Sequence, residues 1–265
     1  MNRLSVVVIT LNEEKKLRRC LELVRWADEI VVVDSFSTDK TTDIAAEYTD
    51  RIYRHPWQGF ARQRTLGMEY ATGDWILFLD ADEYLTDGLN ARLRKMLETD
   101  PPCDGYKIHR VEHFLGYPIR HGTLNPSYQP RLLRRGKGYW TGGAHAHIEV
   151  EGEMGLLHED LYHDSHNTIS DFISRIDYYT TVDAEDRVRQ GQRAGRARVV
   201  FSPIGMAWKC FIVKQGYRDG YIGLLFSLCM GLYSFLRLVK VWQMTCPKPG
   251  SAYDADTSTS DQPIA

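Results

Sequence analysis

The chain has 265 residues, 43% of them hydrophobic, enough to bury a full α/β core and leave room for a small appendage. Its formal net charge of −2 rules out a globally basic nucleic-acid binder. The five cysteines, Cys20, Cys103, Cys210, Cys229 and Cys246, are odd in number and widely scattered, which argues against a disulfide frame and for reduced thiols in cytoplasm.

Leu4–Thr10 (LSVVVIT) is a β-branched run that predicts a buried strand, so no secretory signal is expected ahead of it. Leu11, Asn12, Glu13 and Glu14 follow, then helical spacing at Leu17, Leu21 and Val24, which places a strand-to-helix turn at Thr10–Glu13. Glu29–Val33 predicts a second strand, ended by Asp34-Ser35-Phe36-Ser37-Thr38-Asp39 and followed by a helix over Lys40–Tyr48. A short third strand over Arg51–Tyr53 and a helix over Gly59–Ala71 lead to a fourth strand, Asp74–Leu79. Asp80-Ala81-Asp82-Glu83 comes next, and Thr86-Asp87 can cap a helix over Gly88–Glu98. Strands alternating with helices predict an α/β fold with a doubly wound, mostly parallel sheet and helices on both faces. Strands one, two and four then present Thr10, Asn12 and Glu13, Asp34, and Asp80–Glu83 along one edge, where open α/β sheets bind ligands.

Two carboxylates at i and i+2 beside a buried strand are costly unless a cation offsets them, and a divalent ion bridging diphosphate oxygens would do so. Rival readings of Asp80-Ala81-Asp82 are a solvated turn or helix cap, a phosphatase of the haloacid-dehalogenase type, and a nucleotidyltransferase. In the phosphatases the motif ends the first strand and a Gly-Thr or Gly-Val turn follows; here it ends the fourth, and Glu83-Tyr84 follows.

The ordered set VVVITLNEE, VVVDSFSTDKT and GDWILFLDADE resembles the nucleotide-sugar-binding half of family 2 glycosyltransferases, which have the GT-A fold. With WQGFARQR ahead of the last motif, it is similar to their lipopolysaccharide core β-glucosyltransferase subgroup, strongly over residues 1–100 and weakly to about residue 240. The resemblance implies nucleoside contacts at Thr10, Asn12, Glu13 and Asp34, a UDP-sugar donor, and Mg²⁺ or Mn²⁺ acting as Lewis acid on the departing diphosphate. Asp82 and Asp80 are the candidate metal residues, Asp82 touching the ion directly and Asp80 nearer the ribose. Arg62 and Gln63 match donor contacts, whereas Thr65 stands where the family has Asn. As plainer alternatives, Glu13 caps its helix, Asp34 shapes the following turn, and the basic residues are a solvated helix face.

Inverting transfer also needs a base for the acceptor hydroxyl. The subgroup has a His-Glu pair after a Gly-rich turn. This chain reads Gly142-Gly143-Ala144-His145-Ala146-His147-Ile148-Glu149, with Ala146 in the place of Glu, which leaves His147 and Glu149 as candidates with the choice open. A zinc reading of His145, His147, His158, His163 and His166 lacks Cys partners at useful spacing. Glu159, Asp160 and Asp164 are available to an acceptor, and Arg131, Arg134 and Arg135 could meet a phosphorylated one or form a solvated strand edge.

From Arg187 to Arg218 there are eight Lys or Arg and no Asp or Glu, next to the apolar stretches Ile204–Val213 and Tyr221–Leu236. The second is uncharged for 16 residues, short of the roughly 20 that span a bilayer, so an interfacial or re-entrant helix on an anionic membrane surface is expected, with packing on the catalytic domain as the alternative. The expected organisation is a nucleotide-sugar half over 1–100, an acceptor half over 101–186, a membrane-associating segment over 187–245 and a disordered polar tail over 246–265. The reading is a metal-dependent, inverting hexosyltransferase at the cytoplasmic face of the membrane, acting on a lipid-linked saccharide of the lipopolysaccharide core. Its alternatives are a transferase for another lipid-linked glycan and a sugar-nucleotide-binding membrane protein without turnover.

Overall fold

The structure, a computed structural model, describes residues 2–142 and 146–246, without the side chains of Ser165 and His166. His145 and the expected disordered tail from residue 247 lie outside the described residues. Apolar runs build the first half of the sheet. β1 (Leu4–Thr10), β2 (Glu29–Asp34) and β4 (Trp75–Asp80) are buried almost throughout, and with β3 (Ile52–Arg54) they pair in parallel in the order β3-β2-β1-β4. On one face, α1 (Leu17–Leu23), α2 (Thr41–Ala46) and α4 (Asp87–Leu97) pack Leu17, Leu21, Ala45, Leu89 and Leu93 against Val6, Val8, Val32 and Leu77. On the other, α3 (Phe60–Tyr70) sets Leu66 against Val7, Val31 and Phe78. Gly67 permits this approach, since a Cβ there would lie 2.2 Å from Val7 Cγ1. Thr86 caps α4 as expected, its hydroxyl accepting from the Leu89 N–H at 3.3 Å.

Beyond β4 the sheet becomes mixed. β8 (Tyr128–Arg134) inserts antiparallel between β4 and β6 (Gly105–Phe114). β11 (Met154–His166) runs parallel to β6, and β5 (Glu83–Leu85) pairs antiparallel at its far side. β7 (Tyr117–Ile119) extends β6, while β9 (Gly138–Thr141) and β10 (His147–Val150) make a separate hairpin.

Three α-helices follow among the described residues: α5 (Ile169–Arg189), begun by a Thr168–Asp171 capping box, α6 (Arg196–Trp208) and α7 (Gly220–Thr245). Phe172 and Ile176 of α5 share a core with Phe114, Ile119 and Phe226. The sixteen-residue count underestimates the last helix. α7 runs for 26 residues because Arg237 and Lys240 do not end it; they turn onto α5, to Asp183 at 3.1 Å and Asp177 at 2.8 Å. By length and apolarity, Gly216–Thr245 is sufficient to cross a membrane, with a mean hydropathy of 1.8 over its most apolar 18-residue window.

Candidate active site

The chain returns from β3 to β4 through α3, on the face opposite α1, so β1 and β4 flank a topological switch point, where a crevice opens at the strands' carboxyl ends. A cavity of about 880 Å³ occupies it, with Thr10 and Glu13 after β1, Asp80 and Asp82 after β4, and aromatic walls from Trp57, Phe60, Trp140 and Tyr179. The Thr10 hydroxyl and the Trp140 indole N–H belong to residues that line this cavity, and both are buried without a hydrogen-bond partner among the described residues. Polar groups left unsatisfied in a cleft are groups a ligand can satisfy.

The two aspartates have different surroundings. Asp80 lies between two guanidiniums, Arg64 at 2.5 Å and Arg131 at 2.9 Å, and Arg131 also reaches buried Glu83 at 2.6 Å. Burial pushes the Asp80 carboxyl up, but Arg64 and Arg131 overcome this and hold it well below the usual carboxylate range. Asp82 instead faces His163 Nε2 at 3.3 Å, Arg175 at 3.1 Å and Lys16 at 3.7 Å. Its carboxyl is likewise held low, burial being outweighed first by His163 and then by Arg175 and Lys16.

His163 carries a second carboxylate on its other nitrogen, Glu112 Oε2 at 2.6 Å from Nδ1. The register places it there, since His163 pairs with Glu112 on β6 and with Glu83 on β5. Burial would lower the imidazole pKa, but Glu112 and Asp82 raise it to about 10. Glu13, raised by burial and by the charge of Asp82, completes the acidic wall 3.9 Å from Arg175.

Of the residues expected at the site, Thr10, Glu13, Asp80, Asp82 and His147 line the cavity. Asp34 is fully buried behind it, accepting from the Ser37 N–H at 3.0 Å and from Arg54 at 3.4 Å, and so shapes the turn after β2. Asn12, at φ 54°, accepts from the Thr38 N–H at 2.8 Å and ties the same two loops together. Arg62 points away, exposed and paired with Glu69 at 3.2 Å, whereas Arg64, two residues on, is the one that enters. His147 lies 3.8 Å from Glu149, which is outside the cavity lining and accepts from the Tyr139 hydroxyl at 2.5 Å.

Arg175, Lys16 and Glu112 gave no signal in the sequence, because they reach Asp82, directly or through His163, from α5, the turn before α1 and β6. His163 was visible only as one of a scatter of histidines. Among the described residues no three His, Cys, Asp or Glu side chains converge to hold a metal by themselves. Asp82 could hold one in company with oxygens from a phosphorylated ligand and water, which is how Mg²⁺ commonly binds, while His163, protonated between Glu112 and Asp82, balances the carboxylate charge beside it.

A cleft of this kind, at the switch point of a sheet that turns from parallel to mixed, taken with the family whose sequence model the chain matches, gives the class: a glycosyltransferase of the GT-A fold. The chain belongs to glycosyl transferase family 2, whose sequence model matches residues 5–148. It is similar to the lipopolysaccharide core biosynthesis glycosyltransferase LpsC of Rhizobium meliloti, 29% identical over 91% of this chain and 92% of that protein. An uncharacterized glycosyltransferase of Rickettsia felis is 26% identical over 91% of this chain and 90% of its own length. Among solved structures, S. aureus TarS 1-349 in complex with UDP aligns over 91% of this chain and 89% of that one, at 17% identity and a TM-score of 0.45.

Proposed function

We propose that this glycosyltransferase moves a hexose from a UDP-sugar onto a lipid-linked saccharide with inversion, and that its acceptor is the lipopolysaccharide core, at the cytoplasmic face of the cytoplasmic membrane. The observation that carries the reading is the line Asp82, His163, Glu112 at the switch point. Asp82, held charged by His163, Arg175 and Lys16, is a hard oxygen donor of the kind that binds Mg²⁺ or Mn²⁺ together with a diphosphate, and Glu112 fixes the His163 ring beside it. When bound, the ion supplies Lewis-acid stabilisation of the leaving diphosphate.

The protein's own residues do the rest. The Thr10 hydroxyl hydrogen-bonds the sugar nucleotide, the Trp140 N–H donates to it, and Arg175, which neutralises Asp82 together with Lys16, meets the diphosphate oxygens. Asp80 is fixed between Arg64 and Arg131 and holds the strand end in place for Asp82. His147, which faces the cavity, takes the proton of the acceptor hydroxyl as its oxygen attacks the anomeric carbon, and the bond to UDP breaks with its electron pair on the leaving oxygen. The lipopolysaccharide assignment is supported by the similarity to LpsC along most of both chains.

The test is a thermal-shift titration with UDP, with and without Mn²⁺, since a ligand that binds only the native state raises the melting point. Asp82→Ala should remove the Mn²⁺-dependent part of the shift and leave the circular dichroism of the fold intact. A shift that is the same in both proteins refutes Asp82 as the metal residue.

A further inference from the structure

α7 is about 39 Å long at 1.5 Å per residue, more than the roughly 30 Å of a bilayer's hydrocarbon core, and its composition would permit a spanning role. Its attachments oppose one. At its start, Asp219 accepts the backbone N–H groups of Arg120 and His121 at 3.0 and 2.8 Å and the His121 ring at 2.7 Å, while the Gly122 N–H donates to the Lys214 carbonyl at 2.9 Å. Near its end, Arg237 and Lys240 are bound to Asp183 and Asp177 of α5. Both ends are therefore fixed to the body that carries the active site. Crossing a bilayer would carry one end, and a catalytic element with it, to the other side.

The two faces of α7 differ. Gly223, Phe226, Gly231, Ser234 and Leu238 are buried, and a Cβ on Gly231 would lie 3.0 Å from the Pro203 carbonyl of α6. Leu224, Leu228, Leu232 and Phe235, spaced four, four and three residues apart, make one exposed apolar stripe. α6 has no buried residue and exposes Phe201, Ile204 and Trp208, each more than 60% accessible. From the end of α6 to the start of α7, exposed Trp208, Tyr217 and Tyr221 are interspersed with Lys209, Lys214 and Arg218, the mixture of aromatic and cationic side chains that favours the headgroup layer. The nearest acid, Asp219, is turned inward onto the 120–121 backbone.

We infer that α6 and α7 form an in-plane platform that rests on an anionic bilayer surface without crossing it. The inference deepens the membrane attachment proposed above. Gly122, tied to the platform, is two residues from Leu124 in the cavity wall, so the acceptor end of the cleft sits at headgroup level, within reach of a saccharide anchored in the same leaflet.

The test uses the full chain and does not depend on sugar transfer, so it can fail while the transferase reading stands. The protein should float with vesicles of phosphatidylcholine and phosphatidylglycerol in equal parts, and several-fold less with phosphatidylcholine alone. The double variant Leu228→Glu, Leu232→Glu, at exposed positions, should lose flotation while keeping its circular dichroism and melting point. With Cys103, Cys229 and Cys246 replaced by Ser, Tyr221→Cys and Gln243→Cys, each introduced singly, should both react with a membrane-impermeant maleimide added outside sealed vesicles. Shielding of one of the two indicates a spanning helix and overturns the proposal. Flotation unaffected by the double variant overturns it, as does a dimer in buffer that buries the stripe and does not float.

Discussion

Arg131→Met removes a guanidinium that touches both Asp80 and Glu83 and keeps much of the apolar stem that fills the space beside them. Arg131 is 4% exposed and Glu83 fully buried, so water cannot take over the lost contacts. Arg64 still holds Asp80 at 2.5 Å, but the only cation left to Glu83 among the described residues is Arg110 at 3.5 Å, beside the Asp80 N–H at 3.1 Å. Breaking a buried ion pair from one side costs about 3–5 kcal/mol, because the remaining carboxylate stays buried and uncompensated. For a chain of this size that is a fall in melting temperature of about 10 °C. The Asp80 pKa is depressed in the folded state, so its stabilisation is fully present above the unfolded value of about 3.9 and is lost as pH falls through the folded value. The penalty of Arg131→Met should therefore be largest near neutral pH and shrink in acid, where a carboxylate left without its partner can take a proton. Guanidinium unfolding in mild detergent, followed by circular dichroism at neutral and acid pH, measures it. A penalty below about 1 kcal/mol at neutral pH, or one that does not change in acid, would refute the reasoning.

Glu112→Gln keeps the shape of the His163 contact and removes its charge, and should bring the imidazole pKa down from about 10 toward its ordinary value, followed by NMR titration of the ring; an unchanged pKa would show that Glu112 does not hold the proton on His163. His147→Ala should lower kcat by about 10²–10⁴-fold with UDP affinity unchanged, while Glu149→Gln stays near the parent; the reverse pattern would move the base to Glu149. Gly67→Ala forces a methyl into Val7 and should destabilise the fold by about 1–3 kcal/mol, read as a shifted denaturation midpoint, and an unchanged midpoint would mean that α3 can withdraw from β1.

The parallel half of the fold was legible because its strands are buried on both faces and therefore read as uninterrupted apolar runs, as in LSVVVIT and WILFLD. The mixed half was not. β6 and β11 turn polar residues such as Arg110, Glu112 and His163 into the cleft, which breaks the apolar pattern, and nothing local in β8 signals that it inserts antiparallel beside β4. The site divides in the same way. Asp80 and Asp82 stood out in one short motif, but their partners are set by strand register and by the placement of α5, and Arg175 lies 93 residues from Asp82. The basic stretch before β4 pointed to Arg62 when Arg64 was the residue turned inward, a choice fixed by which face of α3 meets the sheet.

A two-residue step along one motif separates two kinds of failure. A change at Asp80 leaves buried Arg64 without its carboxylate and Arg131 with Glu83 alone, and the damage should appear as misfolding or poor yield before any assay is run. A change at Asp82 leaves that scaffold standing and should produce a well-behaved but inert protein. Activity alone would score the two variants identically, so mutagenesis of the acidic motif has to weigh expression and melting alongside turnover before either aspartate is credited with chemistry.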